Sequence, residues 1–205
     1  MSVVHSVLIA DGTSDRMLIP ILQRLLAELA PDTAFSDVTF ADVRGGSLTE
    51  RVSQALVKYP CSLLFVHRDA ERQDPEIRYL EIDSCLPMLQ ADQVIVAIVP
   101  VKMTEAWLIT DEIAVRKSVG NRSGTTDLGL PELKRIEQCE AKSVLDAALT
   151  KAVDLDKRRR GRFRPEEYRT RVAELLTSLD PLRSLPSFRR LEEQLVKVLP
   201  SIIEP

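Results

Sequence analysis

Val7-Leu8-Ile9-Ala10-Asp11-Gly12-Thr13-Ser14-Asp15 is the stretch that decides how the other residues of this 205-residue chain are read. Val7 to Ile9 are aliphatic and uncharged, which suits a strand covered on both faces. Asp11 then stands at the strand's C-terminal end. Gly12 permits a tight turn with backbone close to a ligand, and Thr13, Ser14 or Asp15 can cap the helix that follows. A strand that passes through a glycine turn into a helix belongs at the C-terminal edge of an open α/β sheet, where such sheets bind ligands.

Met17, Leu18, Ile21, Leu22, Leu25, Leu26 and Leu29 recur at helical spacing after that turn and predict a packing helix. Pro20 within it removes a backbone donor, so the regular helix is expected to begin later than its cap suggests. Asp37 to Arg44, with Val38, Phe40 and Val43, reads as a second strand. Gly45-Gly46-Ser47 then turns into a helix bearing Val52, Leu56 and Val57. Cys61 to Val66 is a third strand, ending in His67-Arg68-Asp69-Ala70-Glu71. A helix over Glu76 to Leu89 leads to a fourth strand, Gln93 to Val99, closed by Pro100. Thr104 is placed to cap a helix with Glu105 in its first turn. Beyond the polar Asn121 to Gly129 segment no further strand is evident. Ala141 to Val153, Pro165 to Leu179 and Ser187 to Leu199 read as helices.

The expected fold class is therefore α/β: a parallel four-stranded sheet flanked by helices, residues 1–118, with a C-terminal helical extension, residues 119–205, packed on it. The length suits one core with an appendage rather than two independent domains. No apolar run approaches the ~20 residues that span a bilayer, and no basic flank precedes the first apolar run as in a signal peptide. No membrane association and a cytoplasmic location are the expectation. Cys61, Cys85 and Cys139 are scattered and odd in number, as reduced thiols in a core are.

Strands one and three each deliver carboxylates to one shared edge of a parallel sheet. Asp11, Asp15, Asp69 and Glu71 are hard oxygen donors of the kind Mg2+ or Mn2+ takes, together with water and substrate phosphate. Divalent ions there would relieve their mutual repulsion and hold the oxygens of a phosphodiester undergoing displacement. Glu105 is a candidate further ligand or general base. Lys102 and Arg68 are candidates for steadying phosphate charge.

Asp11-Gly12-Thr13-Ser14-Asp15, then Asp69-Ala70-Glu71 after an apolar strand, then Pro100 through Glu105-Ala106-Trp107-Leu108, resembles the Toprim domain of topoisomerases, primases and overcoming-lysogenization-defect nucleases. It is most similar to small stand-alone bacterial Toprim-like proteins, often encoded beside an AAA-type ATPase in mobile or defence loci. The likeness covers roughly residues 3–112, and Ser187-Phe188 more faintly. It implies a Toprim-like fold, a Mg2+- or Mn2+-dependent nuclease, possible phage-defence function and a possible ATPase partner. It also implies that Asp11 stands for a family glutamate acting as acid, base or ligand, and that Asp69 and Glu71 stand for a metal-binding Asp-x-Asp. The changes keep charge and move each oxygen by about one methylene.

Each of these residues also has a structural reading. Asp15 and Glu105 are acids where a helix dipole favours them. His67 and His5 read as structural histidines, and Trp107 reads as core. Arg158 and Arg160, in the basic Lys157 to Arg164 loop, could contact phosphates of DNA or RNA, as could Arg68. The net charge of -3 does not exclude such a patch, while 4% aromatic content argues against base stacking as the main grip. Three functions follow. One is a metal-dependent nuclease, in which Asp11, Glu105 and Lys102 are catalytic. Another is a non-catalytic Toprim-like module binding nucleic acid or an ATPase. The last is a receiver-like phosphoacceptor domain built on Asp11, Asp69 and Lys102. A homodimer is compatible with any of them.

Overall fold

Strand pairing is parallel throughout the sheet in the computed structural model, which describes residues 3–70, 73–153 and 162–203. β1 (Ser6–Ile9) lies between β2 (Thr39–Phe40) and β3 (Leu63–His67), and β3 pairs with β4 (Val94–Ile98), giving the order β2-β1-β3-β4. Leu8 sits opposite Phe40 on one side and Phe65 on the other. After β2 the chain crosses back over β1 to form β3, so the gap between the ends of β1 and β3 is the point where strand order reverses.

The two-residue period of the strands sorts the core onto two faces. Leu8, Phe65, Val96 and Ile98 point toward α1 (Leu18–Leu29) and the C-terminal helices. Val7, Ile9, Leu64, Val66 and Ala97 point toward α2 (Leu48–Lys58) and α3 (Pro75–Asp83). Both faces are covered, which is why the strands read as nearly unbroken apolar runs.

Local sequence explains the helix boundaries. A short 3-10 turn, Thr13–Met17, precedes α1, so Pro20 falls in the helix's first turn, where no intrahelical acceptor is lost. Ser47 caps α2: its hydroxyl accepts the Glu50 N–H at 3.2 Å while Glu50 Oε2 accepts the Ser47 N–H at 2.7 Å, a reciprocal box of about 1 kcal/mol. Gly46 enters that box at φ +75, a conformation other side chains rarely adopt.

Three expected elements are shorter than the sequence predicts. α3 stops at Asp83, short of Leu89, because Pro87 cannot continue an α-helix and disfavours helical backbone before it; Leu86–Met88 forms a 3-10 turn instead. β2 keeps only Thr39 and Phe40 in register with β1, opposite Val7 and Leu8, in place of the expected Asp37 to Arg44. The 165–179 stretch yields a 3-10 turn and a six-residue helix.

The stretch after β4 runs through α4 (Glu105–Leu108), α5 (Glu112–Ser118), α6 (Ala141–Ala152), α7 (Arg169–Glu174) and α8 (Pro186–Ile203). One continuous apolar cluster joins Leu8 and Phe65 of the sheet to Leu145, Val172, Leu191 and Leu195 of these helices. Trp107 is fully buried in it, edge-on to Phe188 at 5.2 Å, with its indole N–H donated to Ser187 Oγ at 3.0 Å. α8 also covers the outer edge of β4. Gln194 accepts the Ala97 N–H and donates to the Ala97 carbonyl, each at 3.1 Å, and so takes the place of a fifth strand. Cys61 and Cys85 are buried and Cys139 half-buried, all three as free thiols. No described helix is long and apolar enough to cross a membrane.

Candidate functional site

At the C-terminal edge of the sheet the charged side chains divide into two groups. The first faces α2 and α3. Asp11, half exposed at the end of β1, has Arg51 Nη2 3.0 Å from Oδ1 and Arg68 Nε 3.0 Å from Oδ2. Arg51 also donates to the Ala10 carbonyl at 3.2 Å. Arg68 continues to Glu81 at 2.7 Å; Arg78 binds the other oxygen of Glu81 at 3.1 Å and the Asp69 carbonyl at 3.2 Å. An alternating chain of charges thus connects the ends of β1 and β3.

The second group surrounds His67, 1% exposed at the end of β3. Asp15 Oδ2 lies 3.4 Å from its Nδ1, Asp69 Oδ1 lies 3.2 Å from its Nε2, and the Thr104 hydroxyl is 2.9 Å from the same Nε2. Burial would push this imidazole's pKa down. The carboxylates on either side outweigh burial and raise it to about 9, favouring the imidazolium. For Asp15 burial acts upward, but the His67 ring and the Gly12 N–H, which donates to Oδ2 at 3.0 Å, bring the net shift below the ordinary value. Asp15 therefore closes the turn after β1, as a helix-start acid does, and places its charge beside His67.

Glu105 lies deeper. Burial pushes its carboxyl pKa up, Arg169 opposes that shift, and the Asp69 charge adds to it. Arg169 Nη1 donates to Glu105 at 3.1 Å but also grips Asp146 through two contacts at 2.8 Å, so its charge is divided between two acids.

These contacts sort the residues singled out from sequence. Asp15 and Asp69 are brought to one imidazole, with Glu105 close enough for Asp69 to affect its proton affinity. Asp11 is held apart from them by its arginines. Arg68 is engaged with Asp11 and Glu81. Lys102 donates to the Gln138 carbonyl at 2.7 Å and to Glu140 at 3.1 Å, tying the extension to the sheet. That engagement withholds the lysine a receiver-like site would use. Glu71, Arg158 and Arg160 lie outside the described residues. Thr104, expected to cap α4, makes no cap hydrogen bond and turns its hydroxyl to His67 instead.

Arg51, Arg78 and Arg169 are participants the sequence did not single out, and His67, read there as a structural histidine, is buried as such a residue is but also joins the two carboxylates. For His67 a signal was present: it follows Leu63 and Phe65 on one strand face and precedes Asp69 by two residues, so both project the same way if the pleat persists. Nothing local marks Arg169, whose partners come from α4 and α6.

Among the described residues no three of His, Cys, Asp and Glu gather closely enough to enclose a metal ion. Mg2+ does not require such a cage, since it is commonly held by one or two carboxylates plus water and substrate phosphate. Asp69 Oδ1 is buried without a directed hydrogen bond among the described residues, and Asp11 is reachable from solvent. As hard oxygen donors they fit Mg2+ or Mn2+. The fold and edge define an open parallel α/β protein with carboxylates at its strand-order reversal. No protein-family model, curated protein or solved structure matches this chain.

Proposed function

We propose that this protein is a divalent-metal-dependent nuclease of Toprim type, hydrolysing phosphodiesters of DNA or RNA. The observation that carries the reading is the placement of Asp11 and Asp69 at the ends of adjacent parallel strands, β1 and β3, on either side of the strand-order reversal. One or two of these carboxylates, Asp69 foremost, would hold Mg2+ or Mn2+ together with water and substrate phosphate, while Asp15 stays with His67 and the Gly12 N–H. The bound ion supplies Lewis-acid stabilisation of phosphate charge and lowers the pKa of a bound water. Arg51 and Arg68 orient the Asp11 carboxylate, and His67 fixes Asp15 and Asp69. Glu105, kept readier to hold a proton by burial, is suited to proton transfer at the oxygen Arg169 leaves free. A phage-defence role beside an AAA-type ATPase is consistent with this chemistry.

The test is cleavage of plasmid, single-stranded DNA and RNA in Mg2+ or Mn2+ by the native chain and by Asp69→Asn. The expected loss is about 100-fold or more; cleavage that survives the substitution overturns the reading. A non-catalytic nucleic-acid- or ATPase-binding module is the second reading. It is favoured by the cationic partners already on Asp11 and Asp15, and binding without turnover across metals and substrates would select it.

A further inference from the structure

A crevice of about 330 Å³ opens beside Asp11, on the side of β1 away from the strand-order reversal. It is lined in part by Ala10, Asp11, Gly12, Thr13, Phe40 and Arg44. We propose that this crevice takes one unpaired nucleotide of a single-stranded nucleic acid, its base against an Arg16–Phe40 stack and its phosphate at Arg44. The proposal rests on the nuclease reading for the position of the scissile bond, and adds the strand class and the path.

The guanidinium carbon of Arg16 stands over the Phe40 ring, 4.4 Å from its centroid, and Arg16 is exposed, within reach of a ligand. Guanidinium planes and aromatic rings are the surfaces on which unpaired bases stack; in a duplex the corresponding base faces are already covered. The crevice has the size of a small-molecule pocket, which admits a nucleotide and excludes a double helix. Arg44 is 79% exposed and is paired at 3.1 Å with Asp42, itself 58% exposed. Such a surface pair contributes little, so Arg44 can exchange Asp42 for a phosphate. Two carboxylates, Asp11 and Asp42, line the crevice. Asp11 is already paired with Arg51 and Arg68, and Asp42 with Arg44, so among the described residues Arg16, over Phe40, is the charge left over beside the crevice. It would draw an anionic backbone that passes from the Asp11–Asp69 edge toward β2.

The experiment is fluorescence anisotropy of a short fluorescein-labelled oligothymidylate, and of the matching duplex, with the full chain carrying Asp69→Asn in EDTA, so that cleavage plays no part. Single strand is expected to bind more tightly than duplex. Arg16→Ala and Arg44→Glu are each expected to weaken it by about tenfold, and Arg16→Lys, which keeps charge but not the plane, to remain well below the parent. Both positions are exposed, and unchanged melting temperatures would show the variants folded. Tighter duplex binding, indifference to Arg16→Ala and Arg44→Glu, or full recovery in Arg16→Lys overturns the proposal. Arg16- and Arg44-dependent binding by a native chain that never cleaves would remove the nuclease reading and leave this one. Cleavage without such binding would do the reverse.

Discussion

Arg169 of α7 and Glu105 at the start of α4 meet at 3.1 Å with each side chain only 8% exposed. A helix from the C-terminal extension thereby reaches into the carboxylate edge of the sheet, so edge and extension are stabilised together. Removing one member of a buried pair leaves the other charge without compensation, which is more damaging than loss of the attraction alone. Arg169→Ala is expected to destabilise the fold by roughly 3–5 kcal/mol, since it strands both Glu105 and Asp146, while Glu105→Gln costs less. Urea denaturation of the single and double variants checks this: strong coupling is expected, and additive losses would contradict the pairing.

His67 gives stability a defined pH dependence. Its folded pKa, about 9, lies above the ordinary 6.5, so the protonated form is bound more tightly by the folded state. The contribution is fully present below pH 6.5 and is lost as pH rises through about 9. The loss is expected to be on the order of 2–3 kcal/mol. Denaturation from neutral to alkaline pH should show the decline in the native chain and a flatter profile in His67→Gln.

Metal binding is expected to stabilise the fold independently of turnover. Mn2+ at about a hundredfold excess over its dissociation constant should add roughly 2.7 kcal/mol, readable as a raised melting temperature. Asp69→Asn should abolish the increase and EDTA should reverse it. An equal Mn2+ response in Asp69→Asn would place the ion elsewhere.

Trp107 separates packing from hydrogen bonding. Trp107→Phe loses the bond to Ser187 and should cost about 1–2 kcal/mol, whereas Trp107→Ala also opens a cavity beside Phe188 and should cost about 3–5 kcal/mol. Thermal melts of the two variants test the order.

Gln194→Ala should uncover the backbone of Ala97 at the β4 edge. A loss of about 1–2 kcal/mol is expected, with a rise in concentration-dependent aggregation detectable by light scattering.

Much of the architecture is legible in the sequence. Val7 to Ile9, Cys61 to Val66 and Gln93 to Val99 read as apolar strands, and the helical patterns between them pointed to the parallel pairing the sheet has. The delayed start of α1 followed from Pro20, and the burial of Trp107 from its apolar neighbours. The early end of α3 was also written in the chain, at Pro87, but the apolar pattern through Leu89 masked it.

That acids stand at the ends of β1 and β3 follows from local pattern, on which the positions of strands and turns depend. Which cation each acid meets follows instead from how the elements pack. Asp11 turned toward Arg51 and Arg68, Asp15 and Asp69 toward His67, and Glu105 toward Arg169. Side-chain direction beyond a strand's last residue is set by the turn rather than the pleat, and a partner 40 or 64 positions away is brought near only when helices dock on the sheet.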